Sequence, residues 1–208
     1  MPPKGPHSLL VGVTGGIGSG KTLACRAFES HGVPVLYADD IAKRISATNG
    51  SVRREIRKVL GPRAYRKDGS LDRAYVASKI FSGSSHKEKI NAIVHPRVRR
   101  ELRRRAARLA ASGHRLVIVE AALIFESGMN EVLDYTIVVD AAREVRIRRI
   151  VRRDKVSRAD AERRMRAQWE PRAKRRLADV VIDNNGTAAD LRRAVKLLVK
   201  LFSRIPRP

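Results

Sequence analysis

The residues with the clearest chemistry form one octapeptide near the start of the chain, Gly15-Gly16-Ile17-Gly18-Ser19-Gly20-Lys21-Thr22. It fits the pattern G-x-x-x-x-G-K-[ST], in which glycines let successive backbone N–H groups turn inward around phosphate oxygens. In such a loop Lys21 neutralises the outer phosphates and the hydroxyl of Thr22 holds Mg²⁺. The pattern therefore predicts that residues 16–22 bind a nucleoside triphosphate, without saying how the phosphate is used.

The segments on either side of this loop support the prediction. The apolar run 9–13 predicts a strand before it, and the run 23–28 predicts a helix after it. A helix that starts there directs the positive end of its dipole at the same anion. The alternative is a glycine-rich turn that ends in Lys-Thr by chance, and the strand, loop and helix in register make that the weaker interpretation.

The rest of the chain alternates short apolar runs with helical patterns. Strands are predicted at 9–13, 33–37, 115–120, 134–139 and 179–183. Near-continuous apolar runs joined by helices are typical of a parallel sheet that is covered on both faces. We predict an α/β fold, in which a parallel five-stranded sheet flanked by helices forms a P-loop core.

Two connections are too long to be simple crossovers, and they predict additional parts. The first spans 41–113 and is predicted to be an inserted helical subdomain that holds a second substrate, with His95-Pro96 at the start of one of its helices. The second, 149–175, is rich in arginine and is predicted to be a basic lid. The nucleotide-binding core would then comprise 8–40, 114–148 and 176–204.

Composition limits the partners and the compartment. The formal net charge is +24, so polyanions should bind nonspecifically, but aromatic residues are only 4%, too few for the stacking platforms of a specific nucleic-acid site. The single cysteine, Cys25, excludes an intramolecular disulfide and is read as a small buried residue. With no apolar run long enough to span a bilayer, we expect a cytoplasmic protein without a membrane partner.

Several charged residues could complete a phosphoryl-transfer site. Asp39 and Asp40 follow the second strand and could serve catalysis or only cap a helix. Glu120 ends the third strand and could support a metal-bound water or be an ordinary strand-end charge. Arg149 and Arg153 lie one turn apart, share a helix face, and suit contacts with a transferring phosphate.

Six segments in order resemble the dephospho-coenzyme A kinase family over nearly the whole chain. Their residues are Val13 to Thr22, Tyr37-Ala38-Asp39-Asp40-Ile41-Ala42, Ile93-Val94-His95-Pro96, Leu123-Ile124-Phe125-Glu126, Arg153-Asp154 with Ser157-Arg158, and Ala178 to Asn184. The loop alone would be generic, whereas all six together are specific. The resemblance implies transfer of the γ-phosphate of ATP, with Mg²⁺, to the ribose 3′-hydroxyl of dephospho-CoA, the last step of coenzyme A synthesis.

The same resemblance implies roles for individual residues. Asp39 matches the family's catalytic aspartate, which leaves Asp40 as the helix cap. Arg149 and Arg153 match lid arginines that close over the phosphates. Further matches place His95 and Pro96 at the acceptor site and Asn184 near adenine.

The chain departs from the family pattern at two of these positions. Tyr37 replaces the first aspartate of a D-A-D segment, which removes one possible support for the metal, and Ala122 stands where many members have proline. Two other interpretations stay open. One is a different small-molecule kinase, such as a nucleoside monophosphate or shikimate kinase. The other is a P-loop protein that binds nucleic acid and uses ATP as a switch.

Overall fold

The strands of the computed structural model, which describes residues 8–81 and 84–205, form one parallel sheet. Its strands are β1 Leu9–Thr14, β2 Val35–Tyr37, β3 Leu116–Glu120, β4 Tyr135–Asp140 and β5 Val180–Asp183. They lie in the order β2-β3-β1-β4-β5, and each neighbouring pair is parallel. The predicted α/β fold with five parallel strands is confirmed. Because β1 is central, the loop that follows it opens at the middle of the sheet edge.

Helices fill the connections between the strands. They are α1 Lys21–Ser30, α2 Ala38–Thr48, α3 Gly50–Leu60, α4 Arg73–Phe81, α5 Ser84–Ala111, α6 Arg143–Asp154, α7 Arg158–Arg166, α8 Pro171–Leu177 and α9 Ala188–Arg204. Short 3₁₀ turns occur at Pro62–Ala64 and Met129–Val132. Within 8–81 and 84–205, none of the helices has the length and apolarity that crossing a bilayer requires.

The chain divides into two compact units. One contains the sheet and consists of the residues up to Tyr37 and from Arg105 onward, and the other is Ala38–Arg104. In the first unit α1 and α9 pack against each other and against the sheet. Phe28 of α1 is fully buried in that core beside Val195 of α9 and the β1 and β4 side chains. Helices α6 to α8 belong to this unit too.

The second unit is helical and has a core of its own. Val52, Ile56 and Leu60 recur at helical spacing on α3 and are buried. The hydroxyl of Tyr65 donates a 2.8 Å hydrogen bond to the carbonyl of Ser46, and Arg97 forms an ion pair with Glu55. These contacts hold α2, α3 and α5 around the 3₁₀ turn at Pro62–Ala64.

Side-chain caps explain where two of the helices begin. Thr187 caps α9 by accepting a hydrogen bond from the backbone of Asp190, whose carboxylate accepts one from the backbone of Thr187 in return. Ser157 caps α7 through its hydroxyl, which accepts a 3.1 Å hydrogen bond from the backbone N–H of Asp160. In both cases a hydroxyl three residues before an aspartate fixes the start of the helix.

The prediction that His95-Pro96 begins a helix is wrong. Pro96 lies inside α5, which continues from Ser84 to Ala111. Proline removes one backbone donor from a helix, so one hydrogen bond is lost. The helix can continue through this position when tertiary packing stabilises it. Val94, Val98 and Leu102 supply that packing because each is buried. Beside the gap, the guanidinium of Arg97 donates to the carbonyl of Ile93 at 2.6 Å.

A buried ion pair ties α8 to the segment after β3. The Lys174 ammonium nitrogen lies 2.6 Å from Oε1 of Glu126 and donates to the carbonyl of Ala122 at 3.1 Å. The Lys174 side chain is only 1% exposed and that of Glu126 only 12%. Since each charge has lost its water, each depends on the other for solvation.

Removing one member of this pair should destabilise the protein strongly. We expect Glu126→Ala to lower the free energy of unfolding by about 3–5 kcal/mol, because an uncompensated ammonium group would stay buried. Arg163→Ala removes an exposed ion pair with Asp160 and should cost less than about 1 kcal/mol. Urea unfolding of both variants measures the difference, and equal losses would contradict this role for the buried pair.

Candidate active site

The glycine-rich loop of residues 15–22, called the phosphate loop below, joins the end of β1 to the start of α1. Gly20 is the residue before α1 and has a left-handed backbone, with φ 103° and ψ 17°. This conformation favours glycine and turns the chain directly into the helix. The first N–H groups of α1 therefore face the loop and, as in any helix, lack partners within the helix. The arrangement is a ready-made site for an anion.

Lys21 and Glu120 lie together at this edge of the sheet. The Lys21 ammonium group donates to the carbonyl of Gly15 at 3.0 Å and lies 4.0 Å from Oε1 of Glu120. Glu120 ends β3, and its backbone pairs with Val13 of β1. Thr22, in the first turn of α1, is exposed. The structure therefore places the predicted lysine, threonine and glutamate around one edge, with the lysine bonded to its own loop.

Asn184 braces the phosphate loop from the far side. It follows β5, it is only 4% exposed, and its side-chain amide donates a 2.7 Å hydrogen bond to the carbonyl of Ser19. The backbone N–H of Asn184 donates to the backbone carbonyl of Asp140 at 2.7 Å, which holds Asn184 at the end of β4. The structure thus gives Asn184 a contact with the loop, and its predicted contact with adenine stays a prediction.

The two arginines predicted on one helix face differ in what they contact. Arg149 donates to the carbonyl of Ser19 over 3.4 Å, a long hydrogen bond, while burial lowers the pKa of its guanidinium. Arg153 is exposed and forms two hydrogen bonds with the neighbouring carboxylate of Asp154, which raise the pKa of Arg153. The structure brings Arg149 to the loop and leaves Arg153 on the surface of α6.

Two residues that contact the phosphate loop were not predicted from the sequence. Arg146 is 3% exposed, and its Nε donates to the carbonyl of Ile17 at 2.9 Å. Its position three residues before Arg149, on the same helix face, was a signal that could have identified it. Gln168 accepts a 2.8 Å hydrogen bond from the backbone N–H of Ile17. It lies between α7 and α8, where no periodicity marks it.

Two groups near the loop are kept protonated. Burial, with a smaller contribution from Glu120, raises the pKa of the Cys25 thiol to about 12, so it is an inert core residue as predicted. Burial and a hydrogen bond donated to Glu29 raise the pKa of Tyr37 to about 12 as well. The tyrosine at this position is therefore neutral and supplies no charge for a metal.

The remaining predicted residues lie in the second unit. Asp39 and Asp40 occupy the first turn of α2 and are exposed. The prediction that Asp40 caps this helix is wrong, because α2 already begins at Ala38. The Asp40 carboxylate instead forms an ion pair with Lys43 at 2.7 Å. His95 is half-buried inside α5, where burial and the charge of Arg99 lower its pKa.

Positively charged groups surround the phosphate loop, which makes it a cationic site for phosphate. Lys21, Arg146 and Arg149 surround its carbonyl groups, and the N-terminus of α1 adds a partial positive charge. Glu120 is the carboxylate placed against the lysine. This set can bind a polyphosphate and, through hard oxygen donors, a divalent cation.

Comparison with known proteins identifies a family that the chain as a whole resembles. A family model described as dephospho-CoA kinase matches residues 9–190. A dephospho-CoA kinase of Salinibacter ruber is 42% identical over 183 residues, which cover 88% of this chain and 92% of that protein. Among solved structures, TT1252 from Thermus thermophilus is 36% identical with a TM-score of 0.80 and covers 94% of this chain and 98% of its own. A dephospho-CoA kinase from Campylobacter jejuni is 25% identical with a TM-score of 0.61, covering 94% and 97% of the two chains.

A methyl group on Gly20 should damage the loop more than backbone strain alone explains. A Cβ there would lie 2.2 Å from Nδ2 of Asn184, and φ is +103°. We expect Gly20→Ala to lower the free energy of unfolding by about 2–5 kcal/mol, from left-handed strain plus overpacking. Gly113 has a similar φ of +93° with nothing within 4 Å, so Gly113→Ala should show the strain alone, about 1–2 kcal/mol. Urea unfolding of both variants separates the two terms, and equal losses would argue against the Asn184 contact.

Proposed function

The chain belongs to the dephospho-CoA kinase family, and we propose that it transfers the γ-phosphate of ATP to the ribose 3′-hydroxyl of dephospho-CoA, the last step of coenzyme A synthesis. The observation that carries this proposal is the phosphate loop, with its lysine and Glu120 at one sheet edge, in a chain that matches the family over residues 9–190. A phosphate cradle without such a match would indicate only a nucleotide-binding protein.

ATP would bind with its phosphates in the loop. Lys21 then exchanges the carbonyl of Gly15 for phosphate oxygens, which neutralises charge that develops as the γ-phosphate leaves. Arg149, already at the loop, and Arg153, one turn further along α6, would contact the same phosphates when residues 149–175 act as a lid. Asn184, which fixes the loop from the end of β5, would lie next to the adenine.

Magnesium suits the oxygen donors at this edge. The Thr22 hydroxyl and the Glu120 carboxylate, directly or through water, would hold Mg²⁺, which favours hard oxygen ligands and reduces the charge of the triphosphate. Tyr37 is neutral and adds no carboxylate to this set. We therefore expect the site to depend on Glu120 more than a site with an additional aspartate would.

Asp39 would accept the proton of the attacking hydroxyl. Tyr37 ends β2 at the carboxyl edge of the parallel sheet, the edge where β1 leads into the loop, and Asp39 follows two residues later along the chain. As the ribose oxygen bonds to the γ-phosphorus, its proton passes to the Asp39 carboxylate and the bond to the β-phosphate oxygen breaks, releasing ADP. The helical residues 41–113, including His95 and Pro96, would hold dephospho-CoA.

Composition supports two further proposals, one on polyanions and one on the compartment. The charge of +24 should cause nonspecific binding of polyanions that moderate salt removes. One buried cysteine without a disulfide partner fits a reducing cytoplasm. The charge also motivates the nucleic-acid alternative, which would require a tight complex that survives moderate salt. A competition between dephospho-CoA, shikimate and AMP would reveal a different acceptor.

Asp39→Asn should lower kcat for CoA formation by about 10²–10⁴-fold, because the amide cannot accept the hydroxyl proton. Binding of ATP, measured by calorimetry, should change little. Asp40→Asn is the matched control, since Asp40 is one residue away and pairs with Lys43, and it should keep near-normal turnover. Normal turnover in Asp39→Asn, or an equal loss in both variants, would contradict the assignment.

A further inference from the structure

Ile17, inside the phosphate loop, has both its backbone N–H and its backbone carbonyl bonded to side chains from far along the chain. Its N–H donates to Oε1 of Gln168 at 2.8 Å, and its carbonyl accepts from Nε of Arg146 at 2.9 Å. Both bonds have normal hydrogen-bond lengths. The loop is therefore bonded both to α6 and to the segment that follows α7.

These two contacts differ in how firmly they are anchored. Arg146 is 3% exposed, lies in the middle of α6, and touches the position that a Cβ of Gly16 would occupy. Gln168 is half-buried in the short connection between α7 and α8, and its backbone N–H bonds to Met165. Arg146 is thus a buried brace, whereas Gln168 sits on a short connection whose neighbouring residues are exposed.

We propose that Gln168 is a positioning residue whose side-chain oxygen latches the connection between α7 and α8, residues 167–170, onto the phosphate loop at Ile17. The latch sets how often this connection covers the loop. Excluding water from a transferring phosphate is a general requirement of kinases, so the latch would serve the reaction proposed above. It rests on that proposed function only in taking the loop as the phosphate cradle.

The chain contains a reporter for this motion. Trp169 is its single tryptophan, adjoins Gln168, and is 48% exposed. It lines a cavity of about 820 Å³ together with Arg146 and Gln168. Because no other tryptophan contributes, quenching of its fluorescence by neutral acrylamide measures how accessible this connection is.

The test compares three full-length variants without nucleotide. Gln168→Met keeps the length of the side chain but removes the acceptor, and it should shift the equilibrium between covered and uncovered loop about 2- to 13-fold toward uncovered. The acrylamide quenching constant of Trp169 should then rise. Gln168→Glu retains an acceptor and should keep wild-type quenching. So should Arg166→Met, which changes the adjoining end of α7 but not the bond.

Unchanged quenching in Gln168→Met would overturn the latch. So would equal increases in Gln168→Met and Gln168→Glu, because that result would show an effect of any change beside the tryptophan. Circular dichroism of each variant confirms that it is folded before quenching is compared. Quenching needs no acceptor substrate, so the latch can fail while dephospho-CoA is still phosphorylated, and the proposed function can fail while the latch holds.

Discussion

The site depends on how the backbone of one short loop is held. Ile17 and Ser19 present carbonyl groups that accept from Arg146, Asn184 and Arg149. A buried backbone carbonyl without a partner would cost roughly 1–3 kcal/mol, so these side chains are as necessary as the glycines. Because these bonds fix the path of the loop, the N-terminus of α1 is held facing the place where an anion would bind. The cradle is therefore a product of the whole first unit rather than of the octapeptide alone.

The parallel sheet makes that arrangement possible. Since β1 lies between β3 and β4, its carboxyl end meets Glu120 on one side and the start of α6 on the other. Asn184 reaches the same edge because β5 pairs with β4 in parallel register up to Asp183. The ion pair of Lys174 with Glu126 then fixes α8 to the segment after β3, so the chain returns to β5 along one defined path.

Local patterns in the sequence predicted much of this fold. Apolar runs placed all five strands, and the glycine pattern placed the loop. What local patterns could not predict were contacts between residues more than a hundred positions apart, such as Arg146 and Gln168 with Ile17. The helix start predicted at Pro96 was wrong for a related reason, because the buried packing of α5 outweighed the preference of proline for the first turn of a helix. Local propensity predicts the conformation of a single segment, whereas the contacts between distant segments depend on tertiary packing.

The measurement that tests the central claim most directly is phosphorus-31 NMR of the products formed by the purified protein from MgATP and dephospho-CoA. The account predicts one new phosphate monoester, coupled to the ribose 3′ position, in an amount equal to the ADP released. ADP formed with inorganic phosphate only, or a phosphate at another position, would contradict it.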